Sequence, residues 1–365
     1  MMKEFEFRSA LRREVKSYAN HMPELSDDIL DCSLGVNPYG YAENVVETIR
    51  NFDFDIFTDY PHSGVLRDQL VDYWRGFSPV TEDEITLCNG SVCGLYYICE
   101  LFARGSRDRV IGYIPSFTDM IEAVRNFGMG YDPVPIRLDE GGVQNPGDII
   151  EAMNERTAFI YIDRPNNPTG RTMPLDEVAD IIDAAKENGS YVLIDEAYGD
   201  FIPCEESAMI FGADRDNLIV IKTFSKGFGL ANLRAGYIVA PTRLTAYMSK
   251  MLNPYILSDF TRDICAAALR YRIHPVQFGI RFGKAKEAVK KVMGERLEML
   301  ETDPRVPICT LHLRGGGDLQ AELIKRGVLT VSGREFDGLD QSYVRMRIPT
   351  YDEVPRLLKA IEAVE

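Results

Sequence analysis

Thr223-Phe-Ser-Lys-Gly-Phe-Gly-Leu-Ala-Asn-Leu-Arg234 follows the apolar run Leu218-Ile-Val-Ile221 and precedes a second one, Ala235-Gly-Tyr-Ile-Val-Ala240. The pattern predicts two strands joined by a glycine-punctuated turn that presents Lys226. Thr223 and Ser225 precede the lysine, Gly227 and Gly229 flank the turn, and Arg234 closes it. A lysine becomes a carbonyl-trapping nucleophile when neighbouring cations or desolvation lower its pKa, and hydroxyls with an arginine give charge-assisted bonds to phosphate. A phosphate-bearing aldehyde would satisfy both. Taken alone, an isolated Ser-Lys pair is far better explained by a solvated lysine on a surface turn, so the surrounding sequence has to decide.

Upstream, apolar runs end in polar turns. Tyr191-Val-Leu-Ile194 runs into Asp195-Glu-Ala-Tyr198, and Ala158-Phe-Ile-Tyr-Ile-Asp163 into Arg164-Pro-Asn-Asn-Pro-Thr-Gly170. Arg109-Val-Ile-Gly-Tyr-Ile114 ends at Pro115-Ser-Phe-Thr118, and Glu84-Ile-Thr-Leu-Cys88 leads through Asn89-Gly-Ser-Val-Cys-Gly94 to an apolar helix reaching Phe102. A further helix is expected through Val178, Ile181, Ile182 and Ala185. Strands alternating with helices from about residue 84 to 222 predict a mostly parallel sheet covered on both faces, the large layer of a three-layer α/β fold. Ligands of such sheets bind beyond the carboxyl ends of the strands. That rule gathers Phe117, Asn167, Asp195 and Lys226 on one rim, beside a strand-turn-helix unit at Asn89 able to turn free N–H groups toward an anion.

The ends of the chain have another texture. Residues 1–30 read as an amphipathic helical arm, Asp31-Cys-Ser-Leu-Gly-Val-Asn-Pro-Tyr-Gly40 as a shaped loop, and Thr58-Asp-Tyr-Pro-His-Ser-Gly64 as a turn before a helix through Leu66, Leu70 and Tyr73. Beyond residue 250 a turn at Met251–Tyr255 is followed by a lysine-rich helical pattern from about Val276 to Leu300, then a small α+β region with a turn at Gly315-Gly-Gly317. Tyr343-Val-Arg-Met-Arg-Ile348 alternates with period two, which puts Arg345 and Arg347 on one face of a strand, suited to a carboxylate ligand or to a solvated edge. The expected organisation is an arm and part of a small domain over residues 1–40, a large domain over 41–264, and the rest of the small domain over 265–365.

Composition narrows the function. The 365 residues are 45% hydrophobic and 27% charged, in the range of ordinary globular proteins. A net charge of −15 opposes binding to nucleic acid or anionic membranes. No apolar run is long enough for a signal peptide or a bilayer span, so a cytoplasmic enzyme is expected. The seven cysteines lack a Cys-x-x-Cys pair and read as reduced core residues, and the four histidines are too dispersed for a metal site.

Together, Ser33-Leu-Gly-Val-Asn-Pro-Tyr-Gly40, Tyr60-Pro61, Asn89-Gly-Ser91, Pro115-Ser-Phe117, Asn166-Asn-Pro-Thr-Gly170, Asp195-Glu-Ala-Tyr198, Ser225-Lys-Gly-Phe-Gly-Leu230, Arg234 and Arg345 ahead of Pro349-Thr-Tyr-Asp-Glu353 resemble the class I/II aminotransferases of the fold-type I pyridoxal-phosphate enzymes. The pattern is nearest to the histidinol-phosphate aminotransferase branch. The resemblance implies that pyridoxal 5′-phosphate forms an aldimine with Lys226, which later shuttles a proton, and that Asp195 pairs with the pyridine nitrogen. It implies that Tyr198 and Asn167 bond the phenolic oxygen and that Phe117 stacks on the ring. The phosphate would be held by Ser91, the N–H of Val92, Thr223, Ser225 and Arg234, with Tyr60 reaching across from a neighbouring subunit of a homodimer. Arg345, assisted by Asn167 and the loop at Gly35, matches the clamp for the substrate α-carboxylate, with Arg347 in reserve.

The departures from that branch concern the substrate. Val92-Cys93 stands where an acidic pair is usual, Met120 where a tyrosine is usual, and Gly327-Val-Leu-Thr-Val-Ser332 lacks the basic residue that would bind a substrate phosphate. The expected reaction is therefore ping-pong transamination between an amino acid and a keto acid, without histidinol phosphate. The same site also supports decarboxylation, elimination with cyclisation, or oxidative deamination. A ligand-sensing regulator would need a DNA-binding domain ahead of residue 31. A serine-lysine hydrolase, suggested by Thr223-x-x-Lys226, would leave Asp195, Asn167 and Arg234 without a role.

Overall fold

The computed structural model describes residues 28–364. The helical arm expected over residues 1–30 falls outside that range up to residue 27, and its last residue instead opens a short strand, β1 (Leu30–Asp31). Helices α1 (Glu43–Arg50) and α2 (Val65–Trp74) follow, then β2 (Ile85–Cys88), α3 (Gly90–Phe102), β3 (Arg109–Ile114), α4 (Thr118–Asn126), β4 (Gly130–Pro135), α5 (Pro146–Ala152), β5 (Thr157–Asp163), α6 (Leu175–Asn188), β6 (Tyr191–Asp195), β7 (Leu218–Thr223) and β8 (Gly236–Val239). The carboxyl-terminal part comprises α7 (Thr242–Met248), α8 (Asp259–Arg270), α9 (Ile273–Val276), α10 (Gly279–Val292), β9 (Leu297–Met299), β10 (Ile308–Leu313), α11 (Leu319–Lys325), β11 (Val328–Leu329), β12 (Val331–Ser332), β13 (Tyr343–Arg347) and α12 (Val354–Glu362).

Seven strands form the large sheet in the order β2-β8-β7-β6-β5-β3-β4. From β7 to β4 every pairing is parallel, and β8 runs antiparallel to both its neighbours. Buried residues cover both faces: Ile160, Ile162, Ile194 and Val220 pack on one side with α2 and α6, and Phe159, Tyr161, Leu193 and Ile221 on the other with α3 and α4. This matches the alternation of side chains along a strand enclosed by two helical layers. Strand β4 was not anticipated from sequence. Pro133 and Pro135 each remove a ladder donor, which is tolerated because β4 lies at the sheet edge.

A second core gathers Leu30, Phe282, Val289, Ile308, Leu311, Val344, Met346, Leu357 and Ile361, so both ends of the chain build the small domain. Its four-stranded sheet runs β12-β13-β10-β9, and β1 pairs in parallel with β11. The helix expected over 276–300 stops at Val292. Gly294 breaks it, and Leu297–Met299 pairs with β10 instead. The expected boundary at 264 falls within α8, whose Cys265, Ala266, Ala268 and Leu269 belong to the large-sheet core; we propose carrying the large domain through Arg270.

Candidate active site

The carboxyl ends of β3, β5, β6 and β7 open on a cavity of about 290 Å³. Its wall brings together Ser91, Val92, Phe117, Asn167, Asp195, Tyr198, Thr223, Ser225, Lys226 and Arg234.

One end is built for an anion. Asn89, at the amino end of α3, makes no side-chain cap bond, so the first-turn N–H groups near Ser91 and Val92 remain available with the positive end of the helix dipole behind them. Thr223 Oγ1 donates to Ser225 Oγ at 3.0 Å, and Arg234 Nη1 donates to the same oxygen at 3.4 Å. Arg234 itself adopts the left-handed conformation, φ 51°. Gly90, also left-handed, leaves space that the guanidinium takes, because a Cβ there would lie 2.5 Å from Arg234 Nη2.

The other end carries a buried acid, a phenol and the lysine. Asp195 accepts from Ala197 N at 2.9 Å and from the Tyr161 hydroxyl at 3.0 Å. Burial pushes its carboxyl up to about 6 despite those bonds, so a cationic partner entering the cavity would favour its ionised form. Tyr198 Oη is buried and has no hydrogen-bond partner among the described residues, an orphan in need of a polar group from a ligand. Lys226 Nζ stands 5.6 Å from the centroid of the Tyr198 ring. The loop over residues 31–40 is tied to the lysine turn: Asn37 N donates to Lys226 O at 3.1 Å and Asn37 Nδ2 to Gly227 O at 3.0 Å.

An anion cradle, a buried carboxylate, an orphan phenol and a lysine in one cavity fit the phosphate, ring nitrogen, phenolic oxygen and aldehyde of pyridoxal 5′-phosphate. Phe117 supplies an apolar wall for the ring.

The other expected residues lie around this cavity. Arg345 is fully buried behind the wall, donating Nη1 to Asn167 Oδ1 at 3.2 Å and Nη2 to the carbonyl of Ser33. Arg347 turns its Nη2 to the carbonyl of Asp31. Gly35 sits against Tyr198 Oη. Tyr60 stands apart, 69% exposed and stacked on Tyr255 at 4.6 Å between ring centroids. Leu34 and Val36, from the loop expected to help build the pocket, line the cavity; Asp163 also lines it and Tyr161 supports Asp195, and sequence reasoning had given neither of these two a place in the site. The signal for Asp163 was present, since it ends its strand as Asp195 ends the neighbouring one.

No helix among the described residues is long and apolar enough to cross a membrane, and no group of three potential metal ligands occurs among them.

The family model for aminotransferase class I and II matches residues 27–361. The chain is similar to the histidinol-phosphate aminotransferase of Methanocaldococcus jannaschii, at 28% identity over 93% of this chain and 90% of that protein. It is also similar to the aspartate aminotransferase of Pyrococcus horikoshii, at 25% identity over 97% and 93%. Its fold matches the crystal structure of the histidinol-phosphate aminotransferase from Clostridium acetobutylicum with a TM-score of 0.80 at 21% identity, covering 92% of this chain and 99% of that one.

Proposed function

Because the chain belongs to the aminotransferase class I and II family, whose cofactor is pyridoxal 5′-phosphate, we propose that it transaminates an amino acid carrying a free α-carboxylate and that histidinol phosphate is not its substrate. The observation that carries this reading is the surroundings of Arg345. Among the described residues Val331 pairs with it across β12 and β13, its guanidinium serves Asn167 and the Ser33 carbonyl, and the other cation felt at Tyr198, Arg347, is turned to the Asp31 carbonyl. Among the described residues, a single guanidinium paired with the Asn167 amide matches a monoanionic carboxylate, whereas a phosphate dianion calls for more positive charge and more donors. The relatives named histidinol-phosphate aminotransferase make histidinol phosphate the competing substrate in the test.

The cofactor, when bound, supplies an electron sink for the pair released at the substrate Cα. The chain's residues then have distinct tasks. Lys226 offers the amine that carries the Cα proton. Asp195, desolvated and held by Ala197 N and Tyr161, stabilises positive charge on the ring nitrogen. Among the residues lining the cavity, Tyr198 would give its hydroxyl to the phenolic oxygen, Phe117 would cover the ring, and Ser91, Val92, Thr223, Ser225 and Arg234 would hold the phosphate. Arg345 and Asn167 orient the carboxylate, leaving Arg347 to brace the Asp31 backbone. The exposed Tyr60, with Phe54 and Phe57 exposed close by in sequence, supports a homodimer in which Tyr60 serves the other subunit's site.

The test is a single-turnover experiment on purified enzyme without an amino acceptor. Acidic, aromatic and basic amino acids and histidinol phosphate are compared for stoichiometric release of keto acid or aldehyde, with Lys226→Ala as the control. Keto acid from an amino acid, none from Lys226→Ala, and a KM raised at least about 100-fold by Arg345→Ala are expected. Preferential turnover of histidinol phosphate would overturn the substrate assignment, and carbon dioxide in place of keto acid would overturn transamination.

A further inference from the structure

Asp163 and Asp195 occupy facing positions at the ends of the parallel strands β5 and β6, and both side chains line the cavity. Asp195 has a task in the proposed chemistry. Asp163 has none there, although it is 4% exposed and burial pushes its carboxyl up to about 7. A carboxylate kept in so unfavourable a place points to what it holds.

Among the described residues, three groups donate to it. Oδ2 accepts the backbone N–H of Phe117 at 3.2 Å and of Asn167 at 2.9 Å, and Oδ1 accepts Nδ2 of Asn166 at 2.8 Å. The first two belong to the residues that would cover the ring and meet the substrate carboxylate. They come from separate turns, after β3 and after β5, and Asp163 bridges them. Asn167 in turn accepts from Arg345 through its side chain. We infer that Asp163 is a positioning residue of the active site, its single carboxylate fixing Phe117 and Asn167 relative to each other and, through Asn167, setting the direction of Arg345. The inference rests on the site assignment of the proposed function.

Donor and acceptor counting explains why an acid is needed. All three partners donate, and an amide offers only one accepting oxygen. If the amide introduced by Asp163→Asn kept its oxygen toward the two backbone N–H groups, its NH₂ would face the NH₂ of Asn166. Turning Asn166 over would not help. Its Nδ2 also donates to Pro115 O, and its Oδ1 accepts from Thr169 N and Thr169 Oγ1, so a flip breaks those bonds. Asp163→Asn therefore leaves at least one buried donor unmet, with almost no change of shape.

The test is a mutant cycle on the full-length enzyme with Asp163→Asn, Phe117→Leu, Asn167→Ala and the two doubles that include Asp163→Asn. Three properties are read: spectroscopic titration of the cofactor-free protein with pyridoxal 5′-phosphate, the KM and kcat of the best amino donor, and deuterium exchange at the amides of Phe117 and Asn167. Asp163→Asn is expected to weaken cofactor binding and to raise KM by about tenfold each, the loss of roughly one buried hydrogen bond, with a smaller change in kcat. Exchange should accelerate at those two amides and stay unchanged in β6. Each double should be no worse than its more severe single. Cofactor titration and KM within twofold of the parent, or losses that multiply in the doubles, would overturn the inference. If Asp163→Asn does not accumulate as folded protein, Asp163→Ser, which keeps an accepting oxygen in less volume, goes through the same cycle with the same criteria. A parent enzyme that takes up no cofactor would sink the proposed function first, while the exchange measurement would still report on the bridge.

Discussion

A Cβ atom on Gly35 would lie 1.8 Å from Tyr198 Oη, so the backbone of the 31–40 loop rests directly on the phenol that lines the cavity. No side chain fits between them. Gly35→Ala has to displace either the loop or Tyr198, and we expect kcat/KM to fall by about 10- to 100-fold with a stability loss of about 1–3 kcal/mol. Steady-state kinetics alongside thermal melting checks this, and activity within twofold of the parent would refute the contact.

Removing the cofactor should make stability depend on pH in a defined direction. Burial raises Asp163 to about 7 and Asp195 to about 6 from an ordinary 3.8. Across that interval the folded protein holds protons the unfolded chain has released. The stability linked to these groups is complete below about pH 4 and is lost as pH rises through 6 and 7. The melting temperature of the cofactor-free enzyme should therefore fall between pH 5 and 8. Cofactor, by placing a cation beside Asp195, should reduce the fall, and Asp163→Asn should flatten it. A cofactor-free melting temperature that climbs over that range, with a slope unaffected by Asp163→Asn, would contradict the assignment.

Behind the cavity, Lys222 lies fully buried with its Nζ 3.1 Å from both Glu196 Oε2 and Asp200 Oδ1 and 5.4 Å from the centroid of the Trp74 ring. Glu196 also accepts from Ser207 Oγ and Ala208 N, and Arg164 stands 3.5 Å from its other oxygen. Burial alone would raise the Glu196 carboxyl, but these cations and donors outweigh it and hold the group below its usual range. Lys222→Met takes the cation from Asp200 and leaves Glu196 to Arg164, and should cost about 3–5 kcal/mol. Urea denaturation measures it, and pairing the change with Asp200→Asn should recover part of the loss. A cost below about 1 kcal/mol would mean that the charges are not coupled as drawn.

Dimerisation is testable by complementation. If Tyr60 acts in a second copy's site, a Tyr60→Ala subunit joined to a Lys226→Ala subunit regains one intact site. Equal mixing, with exchange of subunits, then yields about a quarter of the parent's sites. A mixture no more active than its components would place Tyr60 outside the second copy's site.

The sequence was most informative where burial was complete. Strands β5, β6 and β7 are continuous apolar runs enclosed by helices on both faces, so their ends, and with them Asn167, Asp195 and Lys226, could be set on one rim. Legibility failed where a local signal opposed the tertiary one. Pro133 and Pro135 disguised an edge strand, and a lysine-rich helical rhythm concealed the end of α10 before a strand of three residues. Asp163 escaped notice because a strand-terminal carboxylate reads as solvent-facing until the turns that cover it are known. Arg345 and Arg347 could not be ranked from alternation alone, since what separates them is the partner each meets: the side chain of Asn167 for one, the carbonyl of Asp31 for the other.

Every strand of the large sheet lies between residues 85 and 239, whereas β1 acquires its pairing partner only at Val328 and Leu329, and Ser33 meets its guanidinium only at Arg345. On the ribosome, the groups proposed to hold the cofactor are therefore complete long before the groups proposed to select the amino acid. A nascent chain that has just emerged past α8 would have a berth for the vitamin-derived group and no gate for its substrate. Chemistry would have to wait until the last strand has been made and the first has been called back to meet it.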